Sequence, residues 1–284
     1  MEFLGAHVST AGGVDRAPAR GTEIGATAIQ VFTKVPNQWR EPEIVDEVAE
    51  RFDHAMRLSE IGAVVSHDSY LINLASPDKE LRNRSIECFK GELARCAKLG
   101  IPYVVSHPGN FMDDRKDGIS RNADAYSQCL DQVEGPIVLM ETTAGTGTAL
   151  GATFHELAEL RTQIPQELRD RVGFCADTCH LYSAGYDLEN DYDAVWNEWD
   201  STLGLENLHC LHLNDSKTPF ASRKDRHELI GEGTIGPEPF RRIMNDPRLA
   251  RVIKILETPK GDDAVKTDRK MLARLRQYRE NDKT

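Results

Sequence analysis

The chain has 284 residues, 39% of them hydrophobic and 29% charged, with a formal net charge of −11. That length suits one large α/β domain or two small ones, and the mixture excludes low-complexity or charge-block disorder. The acidic balance argues against broad nucleic-acid binding through a basic surface, although bound divalent cations could reverse the potential in one cleft.

Short apolar, β-branched runs recur down the chain and predict strands: FLGAHVS (3–9), AIQVFT (28–33), AVVSHDS (63–69), YVVSHPG (103–109), IVLMETT (137–143), VGFCADT (172–178), LHCLHLND (208–215) and VIKILETP (252–259). Residues 43–61, with Gly62 just after, and 80–98, ending at Leu99-Gly100, have helical apolar spacing, and 263–279 reads as a final amphipathic helix. Strand–helix units repeated eight times imply parallel pairing through right-handed crossovers. The expected fold is an α/β (β/α)8 TIM barrel forming one domain over residues 1–284. A doubly wound open sheet is the runner-up, but no GxGxxG follows the first strand.

No apolar run is long enough to span a bilayer. The N-terminal MEFLGAHVST lacks a basic segment followed by an apolar stretch, so a soluble, cytoplasmic protein without a signal peptide is expected. Six scattered cysteines without a CxxC pair favour reduced, buried thiols.

In a barrel the C-terminal strand ends converge on one face, where active sites form. His7 ends the first run, His67 the third, His107 the fourth, Glu141 the fifth, Asp177 the sixth, His212 the seventh and Glu257 the eighth. A single strand-end histidine is usually structural. Six successive ends carrying only His, Asp or Glu are hard to explain that way, because packed carboxylates repel unless cations relieve them. Imidazole with carboxylate suits zinc, with manganese or iron as alternatives.

Asp177 is followed by His180, and Asp225 and His227 in SRKDRHELIGEG point the same way if that segment is extended. Nine ligands are too many for one tetrahedral ion, so two or three ions are implied. In GFCADTCHLYSAGYD (173–187) the working residues are then Asp177 and His180, while Cys175 and Cys179 are expected to face the packing around the barrel, with a thiolate ligand as the minor alternative.

GAHVSTAGG (5–13), HDSYLINLASP (67–77), SHPGN (106–110), ETTAGTG (141–147), DTCHLYSAGYD (177–187), HLNDSK (212–217), SRKDRHELIGEGTIG (222–236) and LETP (256–259) resemble, in order and over nearly the whole chain, the endonuclease IV family of apurinic/apyrimidinic endonucleases. The resemblance implies a barrel with three zinc ions that cleaves double-stranded DNA 5′ to abasic sites, leaving a 3′-hydroxyl and a 5′-deoxyribose phosphate. Carried over by position, His67 and His107 would hold one zinc, Asp177, His212 and Glu257 a second, with Glu141 bridging the two. His180, Asp225 and His227 would hold the third. His7 is left behind the ligands.

A hydroxide shared by the first two ions would be the nucleophile, since zinc brings the pKa of bound water to about 7. Glu257 or Glu141 would orient it or take its proton, and the third ion would stabilise the leaving 3′-oxygen. Tyr70 and Leu71 match positions that enter the base stack from the minor groove, filling the gap of a missing base. Asn37 and Gln38, beside Trp39, match another DNA-facing loop, with Asn37 standing where the family commonly carries arginine. Arg223 and Arg226 are candidate phosphate contacts, which would make binding salt-dependent. A monomer, associated with the nucleoid when acting on DNA, is expected.

Two rival readings remain. A metal-dependent sugar isomerase or epimerase on the same barrel needs one or two ions and a small polyol pocket, so the set His180, Asp225 and His227 disfavours it. A non-enzymatic zinc-stabilised DNA-binding module would close each site with four protein ligands, whereas nine ligands with one shared leave positions open.

Overall fold

A computed structural model of the chain describes residues 2–280. Strands β1 (Leu4–His7), β2 (Ala28–Val31), β3 (Ala63–His67), β4 (Tyr103–Ser106), β5 (Ile137–Glu141), β6 (Val172–Asp177) and β7 (Leu208–His212) are followed by the two-residue strands β8 (Asp215–Ser216) and β9 (His227–Glu228) and by β10 (Ile253–Leu256). Eight of them close a barrel in the order β1-β10-β7-β6-β5-β4-β3-β2, every pair parallel. This is the (β/α)8 fold expected from the repeated units. The outer ring is built from helices α1 (Ala17–Glu23), α2 (Asp46–Leu58), α3 (Lys79–Leu99), α4 (Arg115–Gln132), α5 (Phe154–Gln163), α7 (Tyr192–Leu203), α8 (Pro237–Asn245) and α9 (Ala264–Glu280), while the short α6 (Thr178–Ala184) follows β6 at the C-terminal face and packs against β8.

Local sequence explains where these elements begin and end. The carboxylate of Asp78 accepts the backbone N–H groups of Glu80 and Leu81 to start α3, and Gly100, at φ 68°, ends it in the left-handed conformation. The strands are shorter than the apolar runs that announce them: FLGAHVS yields Leu4–His7, and LHCLHLND yields Leu208–His212. The later residues of each run leave the ladder to form the loops of the C-terminal face.

Side chains alternate along the strands, with one irregularity in the pairing of β6 with β7 at Phe174/Cys175. One set packs outward against the helices, as Phe174 does against Trp199 at 6.1 Å between ring centroids. The other set fills the barrel with Ala28, Val65, Val105, Leu139, Cys175, Cys210, Ile253 and Ile255. Each fully buried large apolar side chain contributes about 1.5–3 kcal/mol. Cys175 therefore lies inside the barrel, which corrects the expectation that it faces the packing around it. The reason is register: in β6 the residues at 173, 175 and 177 share the inner face, so a sulfur two residues before Asp177 points inward with it. All six cysteines are buried and unbridged.

Candidate metal centre

The inner face supplies the site two residues above its apolar floor. Stepping from Val65, Val105, Leu139, Cys175, Cys210 and Ile255 reaches His67, His107, Glu141, Asp177, His212 and Glu257, and Ala28 leads likewise to Gln30. Glu141 and His212 are fully buried, His67 nearly so, and His107 and Glu257 reach the surface of the mouth.

Glu141 sits among four imidazoles. Its Oε2 lies 2.9 Å from His107 Nε2 and 3.2 Å from His67 Nε2. Its Oε1 lies 2.9 Å from His212 Nδ1 and 3.4 Å from His180 Nδ1. Glu257 Oε2 is 3.2 Å from the same His212 nitrogen. A second focus forms where His180 Nε2 approaches Asp225 Oδ2 at 3.2 Å and His227 Nε2 approaches Asp225 Oδ1 at 3.1 Å. The short ladder between β8 and β9 brings His227 there.

The donor atoms fall into sets compact enough to hold an ion: His67, His107 and Glu141; Glu141, Asp177, His212 and Glu257; and His180, Asp225 and His227. Glu141 belongs to two of them. Cys175 with Cys210 and His212, and Cys179 with Asp177 and His227, are equally compact. Burial pushes the Cys175 and Cys179 thiols above their ordinary range, which disfavours thiolate at those two sulfurs, whereas Cys210, against its own burial, is lowered to about 6 by Cys175 and His212.

The second ring nitrogens argue for cation binding. His67 Nδ1 faces the Asp68 carbonyl at 3.0 Å, His180 Nδ1 the Thr142 carbonyl at 2.8 Å, His212 Nε2 the Gln30 side-chain oxygen at 2.7 Å and His227 Nδ1 the Glu257 carbonyl at 3.3 Å. Each oxygen can only accept, so each of these nitrogens carries the proton and the opposite one faces the centre, as in metal-ligating histidines. His227 Nε2 is buried without a hydrogen-bond partner, an orphan that a cation would satisfy. The set of imidazole nitrogens and carboxylate oxygens fits zinc, and also manganese or iron.

The electrostatics agree. Burial opposes charge on Glu141, yet the imidazoles of His212 and His107 hold its carboxyl well below the usual range. Burial likewise opposes charge on Asp225, which His180 and His227 outweigh. Against their own burial, the neighbouring carboxylates raise the pKa values of His67, His180 and His212 well above normal, and His227 rises to about 9. The carboxylates thus demand positive charge, which protons or metal ions can supply.

His7 lies outside the ligand sets, with Nδ1 3.0 Å from the Gln30 amide nitrogen and 3.7 Å from Glu257 Oε1. Two residues escaped the sequence reading. Gln30 bridges His212 and Glu257. Asn214 donates to Asp177 Oδ2 at 2.7 Å and accepts the Glu257 backbone N–H at 3.0 Å. A buried amide within the apolar run AIQVFT was the available signal for Gln30.

The expected DNA-facing residues share this end of the barrel. Tyr70 is 72% exposed and sets its ring edge against Phe32 at 5.3 Å between centroids. Leu71 is half-buried, and Asn37, Gln38, Arg223 and Arg226 are exposed. The loop carrying Asn37 is held in place: Lys34 donates to the Gln38 carbonyl at 2.5 Å, and buried Arg95 of α3 donates to Thr33 at 2.8 Å and pairs with Glu41. Trp39 lies half-buried under the Arg84 guanidinium, 4.4 Å from its carbon. A cavity of about 430 Å³ over the ligand sets is lined by Tyr70, Phe32, Glu257 and Lys260, among others.

Residues 19–275 match the family described as the xylose isomerase-like TIM barrel. The chain is 47% identical over 281 residues to a probable endonuclease 4 of Chloroflexus aggregans, covering 97% of each. The crystal structure of endonuclease IV from Thermus thermophilus superposes with a TM-score of 0.87 at 36% identity, covering 98% of this chain and 99% of the other. A D-tagatose 3-epimerase-like protein superposes with a TM-score of 0.70 at 16% identity, covering 99% and 100%, a likeness of fold alone.

Proposed function

The chain belongs to the endonuclease IV family, and from that premise we propose that it is a DNA repair enzyme hydrolysing the phosphodiester on the 5′ side of abasic sites, leaving a 3′-hydroxyl and a 5′-deoxyribose phosphate. The sharing of Glu141 between two ligand sets, with a third set beside them, carries this reading. His67 and His107 would hold one zinc, Asp177, His212 and Glu257 a second, and Glu141 would bridge them, while His180, Asp225 and His227 would hold a third. Bound there, zinc would supply Lewis acidity toward the phosphodiester and lower the pKa of water to about 7.

The chain's own residues supply the rest. Glu257 lines the cavity, so beside the ion it would hold it is the carboxylate we assign to orient the attacking water or take its proton. Glu141 is fully buried and serves to hold the two histidine sets together. Tyr70 and Leu71 would fill the space of the missing base, and Arg223 and Arg226 would meet backbone phosphates, with Asn37 and Gln38 on the adjoining loop. We take the working form to be a monomer in the cytoplasm, associated with the nucleoid.

A sugar isomerase or epimerase would leave the set of His180, Asp225 and His227 without a task. The deciding experiment incubates the zinc-loaded protein with a duplex carrying one reduced abasic site, which cannot break by β-elimination. The expected product ends in a 3′-hydroxyl 5′ to the lesion. An intact duplex with a zinc-replete protein would overturn the proposal.

A further inference from the structure

Gln30 is a neutral residue at the level where the neighbouring strands carry ligands. It is fully buried on the inner face of β2, and a buried amide must find partners for both of its ends. Its Oε1 lies 2.7 Å from His212 Nε2, and its Nε2 lies 2.5 Å from Glu257 Oε1 and 3.0 Å from His7 Nδ1.

The orientation of the amide is fixed by chemistry. A carboxylate can only accept, so the end facing Glu257 must be the NH₂. The oxygen is then left for His212, whose Nε2 must carry the proton. His212 Nδ1 is consequently the nitrogen turned toward Glu141 Oε1 and Glu257 Oε2, where it can offer a lone pair to an ion. One side chain from β2 thus sets the tautomer of a histidine from β7 and the rotation of a carboxylate following β10.

We infer that Gln30 is a positioning residue for the ion that Asp177, His212 and Glu257 would hold. The inference rests on the proposed three-ion reading. Gln30 touches neither substrate nor metal. It acts by keeping His212 from flipping and by fixing the rotation of the Glu257 carboxylate at the edge of the cavity. Partners of this kind alter metal affinity roughly ten- to a hundredfold when removed.

The test compares the unmodified protein with Gln30→Met, which preserves volume and removes both polar ends. Zinc-loaded proteins are challenged with a chromophoric chelator, and release is followed without DNA. One of three ions should leave Gln30→Met roughly ten- to a hundredfold faster, with the other two unchanged. Equal release from both proteins would overturn the inference. A purely structural role would lower the unfolding temperature of metal-free and loaded protein alike without singling out one ion, and that pattern would also overturn it. Imidazole ¹⁵N spectra of the zinc-loaded unmodified protein give a readout that survives if Gln30→Met fails to fold: His212 should carry its single proton on Nε2, and a proton on Nδ1 with Nε2 bare would overturn the inference. If the unmodified protein holds fewer than three ions, the three-ion reading falls and the inference falls with it, an outcome distinct from equal release by two fully loaded proteins.

Discussion

Asp177 and His180 are tied through the backbone while their side chains face different neighbours. Asp177 Oδ1 accepts the backbone N–H of His180 at 2.9 Å, capping α6, and its Oδ2 lies 3.6 Å from His227 Nε2. The two roles of this carboxylate separate by substitution. Asp177→Asn keeps a capping oxygen and removes the charge, whereas Asp177→Ala removes both. Both variants should lose one zinc by elemental analysis. In metal-stripped protein both variants lose the acceptor of the Asn214 amide, and only Asp177→Ala also loses the cap, so it should be the less stable of the two by about 0.5–2 kcal/mol in urea unfolding. Equal stability of the two stripped variants would show that the cap contributes nothing.

Glu257→Gln is close to isosteric and leaves Gln30 facing a second amide in place of a carboxylate. Loss of a general base costs roughly 10²–10⁴ in rate, so, compared at equal zinc content because Glu257 would also hold an ion, single-turnover cleavage of the reduced abasic duplex should slow by that factor. A rate within a few-fold of the unmodified enzyme would remove Glu257 from proton transfer and turn attention to Glu141.

The barrel and most of the centre were legible because both follow from alternation. A strand that buries Val65, Leu139 or Ile255 must place His67, Glu141 or Glu257 on the same inner face, and charged residues at successive strand ends stand out in a sequence. Gln30 and Asn214 were not legible, because a neutral amide carries no charge pattern and its partners come from strands far away in the chain. Strand ends blurred for a related reason: Val8, Thr33 and Leu213 are buried like strand residues although they already lie in loops. Cys175 was misplaced because its apolar character fits either side of a barrel wall, and only the register through Asp177 decides.

Tyr70 is a large aromatic residue, 72% exposed at the mouth and edge-on to Phe32, beside the cavity over the ligand sets. Stacking of a base on an aromatic ring is worth about 1–3 kcal/mol. Tyr70→Ala should therefore raise the dissociation constant for an abasic duplex roughly 5- to 150-fold while zinc content stays at the unmodified level. Asn37→Arg on the exposed loop held by Lys34 should act in the opposite sense, tightening binding and steepening its salt dependence by about one unit of slope. Unchanged binding in both variants would place DNA recognition on other loops.

At the far end of the barrel, Lys254 of β10 offers a prediction about pH. It is 4% exposed, and its ammonium donates to the carbonyls of Leu249 at 2.6 Å and Val252 at 3.0 Å. Burial lowers its pKa to about 8, while an unfolded lysine titrates near 10.4. Below about pH 8 both states hold the proton, and Lys254 adds no pH slope. Between about 8 and 10.4 the unfolded chain binds more protons than the native one, so stability gains from this group as pH rises, by at most about 1.4 kcal/mol per pH unit. Lys254→Met abolishes that gain and leaves two carbonyls without their donor. Urea unfolding at pH 7, 8.5 and 10 should show the stability difference between the unmodified protein and Lys254→Met widening in favour of the unmodified protein as pH rises. Taking the difference cancels the tyrosines and cysteines that titrate in the same range. A constant difference across the three pH values would mean that Lys254 keeps an ordinary pKa in the folded protein.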